Sequence, residues 1–364
     1  MLIAFCIIIV LIIGVYIFLK IPAFGKMPEG NRLENIKLSP NYRNGSFQNI
    51  SPTPDLTDGA GYFTVLKEFL FKKNMQGKPA QILPSKKTNL LSLPPNENIL
   101  VWFGHSSYFM QIDGNTILVD PVLSGNASPV KFTTKSFEGS DVYTPDDFPV
   151  IDYLFITHDH WDHMDHETLV KLKPKINKVI TGLGTGAHLE HWGYDKNLIV
   201  EKDWNEELIL GNGFVVNTTP GRHFSGRGLK RNQTLWMSYV LATPTMKIFI
   251  GGDSGYDTHF KTIGETYGPF DLAIIECGQY HRYWKYIHMM PEDAVQAAMD
   301  LQTKKLIPVH WGKFTLALHA WNEPVIRFTE AALNKNMEII TPMIGEKVDL
   351  NNTAPSLNWW KNID

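Results

Sequence analysis

Cysteine is scarce: only Cys6 and Cys277 occur among 364 residues. They lie far apart, one in an apolar N-terminus and one inside a core-like run, so no disulfide framework follows and neither reads as a metal ligand. Charge of one sign is lacking too. A net charge of −3 gives no bulk attraction to nucleic acid, which is excluded as a partner; a polyanion would need a local patch. No internal repeat of short fixed period occurs. Gly182, Gly184 and Gly186 lack the following Lys-Ser/Thr or the acidic partner of a nucleotide-binding loop, and read as a turn into a helix containing His188 and His191. What is present is a large apolar share, 43% hydrophobic against 20% charged. That allows a sizeable core in one large domain or two ordinary ones.

From Met1 to Leu19 no side chain is charged, and Lys20 closes the run. Such a stretch just spans a ~30 Å hydrocarbon core at ~1.5 Å per residue, so the sequence predicts a transmembrane helix, a single-pass anchor over residues 1–19. The basic n-region and small-x-small site of a cleaved signal peptide are not evident, and a buried core helix is rarely apolar on every face. Lys20, Lys26, Arg32 and Lys37 follow the run, which by the positive-inside rule places the catalytic body in the cytoplasm. Residues 20–98 read as an extension wrapping the body. One amphipathic helix is expected near 61–73, where Tyr62, Phe63, Leu66, Phe69 and Leu70 form a stripe suited to the body or to a membrane surface. The main domain is expected over 99–350 and a tail over 351–364.

Thr157-His158-Asp159-His160-Trp161-Asp162-His163 organises the rest. The H-x-H-x-D-H spacing follows Tyr153-Leu154-Phe155-Ile156, a buried strand. A strand ending in alternating histidines aims two imidazoles at one point, and the turn after it aims Asp162 and His163 beside it. That is the arrangement of two adjacent metal sites. Further candidate ligands each follow an apolar run: His223 after Phe214-Val215-Val216, Asp253 after Ile248-Phe249-Ile250, and His310 after Leu306-Ile307-Pro308-Val309. Four strand ends meeting at one place predict a binuclear centre. His105 also ends a strand and faces either that pocket or a turn. Strand runs then helices, twice over, predict an α/β fold of two antiparallel-rich sheets with helices outside.

Several pieces occur in a fixed order: Gly104-His105-Ser106, Asp120-Pro121, Ala127-Ser128-Pro129, the histidine motif, Gly252-Asp253-Ser254-Gly255-Tyr256, Gly268-Pro269-Phe270-Asp271-Leu272-Ala273, Gln302-Thr303-Lys304-Lys305 and His310-Trp311-Gly312. From Asn44 to Glu346 the chain so arranged resembles the metallo-β-lactamase superfamily and, within it, the N-acyl-phosphatidylethanolamine-hydrolysing phospholipases D. The resemblance implies a four-layer αββα sandwich with two zinc ions, although iron or manganese also suits such ligands. It places His158, His160 and His223 on the first ion, Asp162, His163 and His310 on the second, and Asp253 as the bridge. Asp162 and Asp253 are then catalytic, and His288 is an accessory histidine giving a proton to the leaving alkoxide.

The implied reaction hydrolyses N-acyl-phosphatidylethanolamine to N-acylethanolamine and phosphatidic acid, with hydroxide formed at the ions as nucleophile. Arg222 and Arg227, with Lys230 and Arg231, flank His223 as fixed positive charge for a phosphate or as a solvated basic loop. Tyr280, Tyr283 and Trp284 suit a membrane interface or ordinary packing. These residues and His105 are the candidate substrate contacts. A phospholipid substrate and a membrane are the implied partners, with a homodimer allowed. Two other readings stand beside this one: a hydrolase of a soluble phosphodiester or lactone, and a metal-bound lipid-binding protein without turnover.

Overall fold

The computed structural model describes residues 2–71, 76–352 and 358–363. The chain begins with α1 (Leu2–Phe18), apolar on every side and exposed. Pro22 disfavours helical backbone at the residue before it, and Ile21 is extended at φ −61°, ψ 144°. The 17 residues of α1 therefore reach only about 25 Å at ~1.5 Å per residue, short of a ~30 Å hydrocarbon core. Among the described residues no helix is long and apolar enough to cross a membrane. This overturns the expected transmembrane helix and single-pass anchor, and the cytoplasmic placement of the body, which rested on that span, falls with them.

A turn at Pro22–Phe24 leads to α2 (Gly30–Lys37), a small hairpin of β1 (Tyr42–Arg43) and β2 (Ser46–Phe47), and α3 (Tyr62–Phe71). The last is the helix expected near 61–73; Lys72 and Lys73 of that expectation lie outside the described residues. α3 is tied to the loop around residue 283. Phe69 stacks on Trp284 with ring centroids 6.1 Å apart, and the Tyr283 hydroxyl donates to Glu68 at 3.0 Å.

The body has two halves of like design. In the first, β3 (Ile99–Trp102), β4 (Tyr108–Ile112) and β5 (Asn115–Val119) form an antiparallel meander. The β4–β5 turn places both Asp113 and Gly114 in the left-handed region, at φ 46° and 78°, as a two-residue hairpin matched to strand twist requires. Then β6 (Tyr153–Ile156), α4 (His166–Leu172), β7 (Val179–Gly182), α5 (Gly186–His191) and β8 (Ile199–Lys202) continue the sheet in parallel. The second half repeats the pattern with β9 (Glu207–Gly211), β10 (Phe214–Thr219), β11 (Ser238–Ala242) and β12 (Lys247–Ile250) antiparallel. α6 (His259–Tyr267), β13 (Leu272–Glu276), α7 (Pro291–Asp300), β14 (Lys305–Val309), α8 (Glu323–Asn334) and β15 (Glu338–Ile339) follow with the strands parallel. β16 (Lys347–Asp349) crosses back to pair with β3. Each 7-stranded sheet is thus half parallel, where antiparallel-rich sheets were expected, because helical crossovers force parallel neighbours.

Strand alternation separates the layers. In β3 and β6, Leu100, Trp102, Tyr153 and Phe155 join the core shared with the second sheet, while Ile99, Val101, Leu154 and Ile156 pack with Leu169, Leu172, Leu189 and Trp192 of the α4–α5 side. Phe155 meets Tyr239 of the facing sheet edge-on at 5.0 Å, and the Tyr239 hydroxyl donates to the Ile156 carbonyl at 2.6 Å. The order helix, sheet, sheet, helix agrees with the expected αββα sandwich. The ends of β6, β10, β12 and β14 open on one edge.

Candidate metal centre

Each candidate ligand follows the last residue of a strand, so buried strands fix where it points. Three residues there take left-handed backbone despite having a Cβ: His105 at φ 54°, Asp120 at 42° and His310 at 70°. Such conformations persist only where surroundings over-determine them. Here His310 N donates to the His105 carbonyl at 3.0 Å, His105 N donates to the Trp311 carbonyl at 2.8 Å, and Asp120 N donates to the Phe155 carbonyl at 3.1 Å.

The side chains form two groups sharing one carboxylate. In the first, His160 Nδ1 lies 2.9 Å from His158 Nε2 and 3.1 Å from His223 Nε2. In the second, His105, Asp162, His163 and His310 each bring a ligand atom to within 4.8 Å of the others. Asp253 lies between them. Its Oδ2 is 3.7 Å from His158 Nε2, 3.8 Å from His223 Nε2 and 3.2 Å from His163 Nε2, and its Oδ1 is 3.3 Å from His310 Nδ1.

Outer partners orient these rings. Asp120 Oδ2 is 2.8 Å from His163 Nδ1, and the same carboxylate accepts from the Thr157 amide and hydroxyl at 2.8 and 2.6 Å. His163 Nε2 is thereby turned toward Asp253. His223 Nδ1 donates to the Ile287 carbonyl at 2.8 Å, and His310 Nδ1 lies 3.0 Å from Ser106 Oγ.

Do these residues fit a metal? His160 Nε2, His163 Nε2 and Asp253 Oδ1 are buried with no hydrogen-bond partner, a costly state unless another group completes them. Burial holds His158, His223 and His310 well below the usual imidazole pKa, which keeps them in the neutral, ligating form. Burial also pushes the Asp253 carboxyl up to about 6. His163 departs from this pattern: burial opposes its charge, yet Asp253, Asp162 and Asp120 hold it well above the usual range. A pocket that traps positive charge among converging nitrogens and carboxylates fits divalent cations.

The other sequence candidates scatter. His105 Nε2 is 2.8 Å from Asp162 Oδ2, so it supports the second group. His288 lines the cleft of about 300 Å³ above the ligands, as does Trp284. Arg222 instead donates to Thr53 Oγ1, the Pro52 carbonyl and the Tyr256 carbonyl, and lines a separate hollow with His259. Arg227 is fully buried, with its guanidinium on the carbonyls of Ala23, Asp159 and Met164 and over the ring of Trp161. Tyr280 and Tyr283 spend their hydroxyls on Glu323 and Glu68.

Sequence reasoning missed Asp120 and Glu276 as site residues, and Arg231 as the basic residue of its loop that reaches the cleft. Asp120 stood in a recognisable dipeptide. Glu276 closed an apolar run in the same way as the ligands and carried the same signal.

The comparisons follow the geometry. Residues 115–311 match the beta-lactamase superfamily domain. An uncharacterised protein of Mycobacterium tuberculosis is 37% identical over 337 residues, covering 89% of this chain and 88% of its own. The N-acyl-phosphatidylethanolamine-hydrolyzing phospholipase D 1 of Caenorhabditis elegans is 30% identical over 301 residues, covering 74% and 80%. Among solved structures, the metallo hydrolase Igni18 of Ignicoccus hospitalis aligns with a TM-score of 0.54 at 19% identity, over 70% of this chain and 98% of that one. Matched over most of its body and carrying the ligand groups at one sandwich edge, the chain belongs to the metallo-β-lactamase superfamily, as a metal-dependent hydrolase resembling the N-acyl-phosphatidylethanolamine-hydrolysing phospholipases D.

Proposed function

We propose that this chain is a phospholipase D type phosphodiesterase that cleaves N-acyl-phosphatidylethanolamine to N-acylethanolamine and phosphatidic acid. The observation that carries this reading is the cleft itself. Its floor is ionic, with His160, Asp162, Asp253 and His310, while its walls carry Leu56, Tyr62, Phe224, Trp284 and Leu316. A polar floor under an apolar wall suits a phosphodiester attached to acyl chains. The sequence likeness to the C. elegans phospholipase supports the same choice. Divalent ions, zinc by choice of ligand type, supply charge neutralisation at the phosphoryl oxygens and activation of water when bound. His158, His160 and His223 on one side, and Asp162, His163 and His310 on the other, would hold them, with Asp253 between. The chain's own groups do the rest. Arg231, 2.8 Å from Asp55 and 3.9 Å over the Phe224 ring, presents a cation at the cleft wall. His288 faces the floor as the group placed to protonate the leaving alkoxide.

The test is mass-spectrometric analysis of N-acyl-phosphatidylethanolamine vesicles incubated with zinc-loaded protein, with Asp162→Asn alongside. N-acylethanolamine and phosphatidic acid should appear with the parent protein and be lost in the variant. Intact lipid at full metal occupancy, with hydrolysis of a soluble diester such as bis(p-nitrophenyl) phosphate, would replace this substrate with a soluble one.

A further inference from the structure

Glu276 closes β13 and is almost completely buried. Every lone-pair direction it uses is engaged by a specific donor. Oε1 accepts from the backbone amides of Ser254 at 2.9 Å and Met289 at 3.1 Å, and Oε2 lies 2.8 Å from His288 Nδ1. The ring of His288 is also fixed by its neighbours, stacking on His310 at 5.2 Å and meeting His223 edge-on at 4.9 Å.

We infer that Glu276 is a positioning residue that holds His288 as the Nδ1–H tautomer and so leaves Nε2 as the nitrogen offered to the cleft. The two amides can only donate, so Oε1 can only accept. Oε2 is then the one atom free to set the imidazole tautomer, and a carboxylate there demands a proton on Nδ1. Burial raises the Glu276 carboxyl well above its usual range, against the two amides and the His163 charge that favour the ionised form. Divalent charge on the adjoining ligands works in the same direction as the amides. In the proposed reaction, His288 gives its Nε2 proton to the alkoxide oxygen as the P–O bond breaks. It keeps its Nδ1–H on Glu276 and regains a proton from the attacking water.

This rests on the proposed hydrolysis only for its kinetic arm. The discriminating variant is Glu276→Gln. The Ser254 and Met289 amides require its side-chain oxygen, so its NH2 must face His288 Nδ1 and donate to it. Packing and both backbone bonds survive while the tautomer inverts. Zinc-loaded parent and variant are compared by ¹⁵N-edited NMR of the histidine rings, with His288→Gln identifying the resonances, by metal content, and by turnover of the lipid or a diester surrogate. The expected result is Nδ1–H in the parent and Nε2–H in the variant, with equal metal content, KM within about twofold and kcat lower by 10²-fold or more. On a His288→Gln background the second change should cost nothing further. Nε2–H in the parent, unchanged kcat after inversion, or loss of metal from the variant would each overturn the assignment, the last by making Glu276 a ligand. If no substrate is turned over, the hydrolysis reading fails while the NMR arm still decides the tautomer.

Discussion

At the scale of single residues, the centre is built as much from acceptors behind the ligands as from the ligands. Asp120 serves His163 and both polar groups of Thr157 at once. Asp120→Ala should leave the buried Thr157 amide without an acceptor and free the His163 ring. The expected loss is roughly 10–100-fold in metal affinity, read by competition with a chromogenic chelator; affinity within twofold of the parent would assign Asp120 a folding role only. The residue scale also shows what the sequence concealed. H-x-H-x-D-H was legible because one strand end carries the whole pattern. Arg222 and Arg227 were legible only as charge. Their direction is set by carbonyls of Pro52 and Ala23, 170 and 204 positions away, and no local pattern records such partners. Glu276 pairs with His288 across a loop of 12 positions, with the same result.

Among the elements, the segment after α1 has a task that its apolar predecessor obscures. Ala23 accepts two bonds from Arg227, the Pro22 carbonyl accepts from Trp192 Nε1 at 2.8 Å, and the Lys26 amide donates to His188 Nδ1 at 3.1 Å. His188 Nε2 in turn lies 3.3 Å from Asp159 Oδ2, inside the histidine motif. Gly25 permits this approach: at φ +70° a Cβ would lie 2.1 Å from His188 Nδ1. Arg227→Lys cannot bridge Ala23, Asp159 and Met164 from one ammonium, and should cost about 2–3 kcal/mol. Urea unfolding monitored by tryptophan fluorescence checks this, and an unshifted midpoint would mean that the three carbonyls find other donors. The sequence read residues 1–19 by their lack of charge and recovered the helix. It overestimated the reach of that helix because Pro22 shapes the backbone just beyond the run. The amphipathic stripe of α3 was legible as a helix, while its attachment to Tyr283 and Trp284 was not.

For the whole molecule, the division into two matching halves follows from alternation within each strand, which the sequence displays, and from the crossover helices, which it displays less sharply. The parallel pairs β6–β7–β8 and β13–β14–β15 come from those crossovers, and a reading by apolar runs alone does not separate them from a meander. Metal removal tests the assembly as a unit. Ligand binding to the folded state alone adds about 2.7 kcal/mol at a free concentration 100 times Kd, so chelation should lower Tm by several degrees and restoring zinc should recover it. A Tm indifferent to chelation would mean that the ligand groups are braced without an ion.

That bracing has a further consequence. His158, His160, Asp162 and His163 leave the first sheet at the end of β6, whereas His223, Asp253 and His310 leave the second at the ends of β10, β12 and β14. An ion shared among them is a cross-link between two layers that otherwise meet only through side chains. Its removal should let the open edge breathe, so that amides at the ends of β6 and β12 exchange with deuterium faster together, while the far edge of the sandwich keeps its pace.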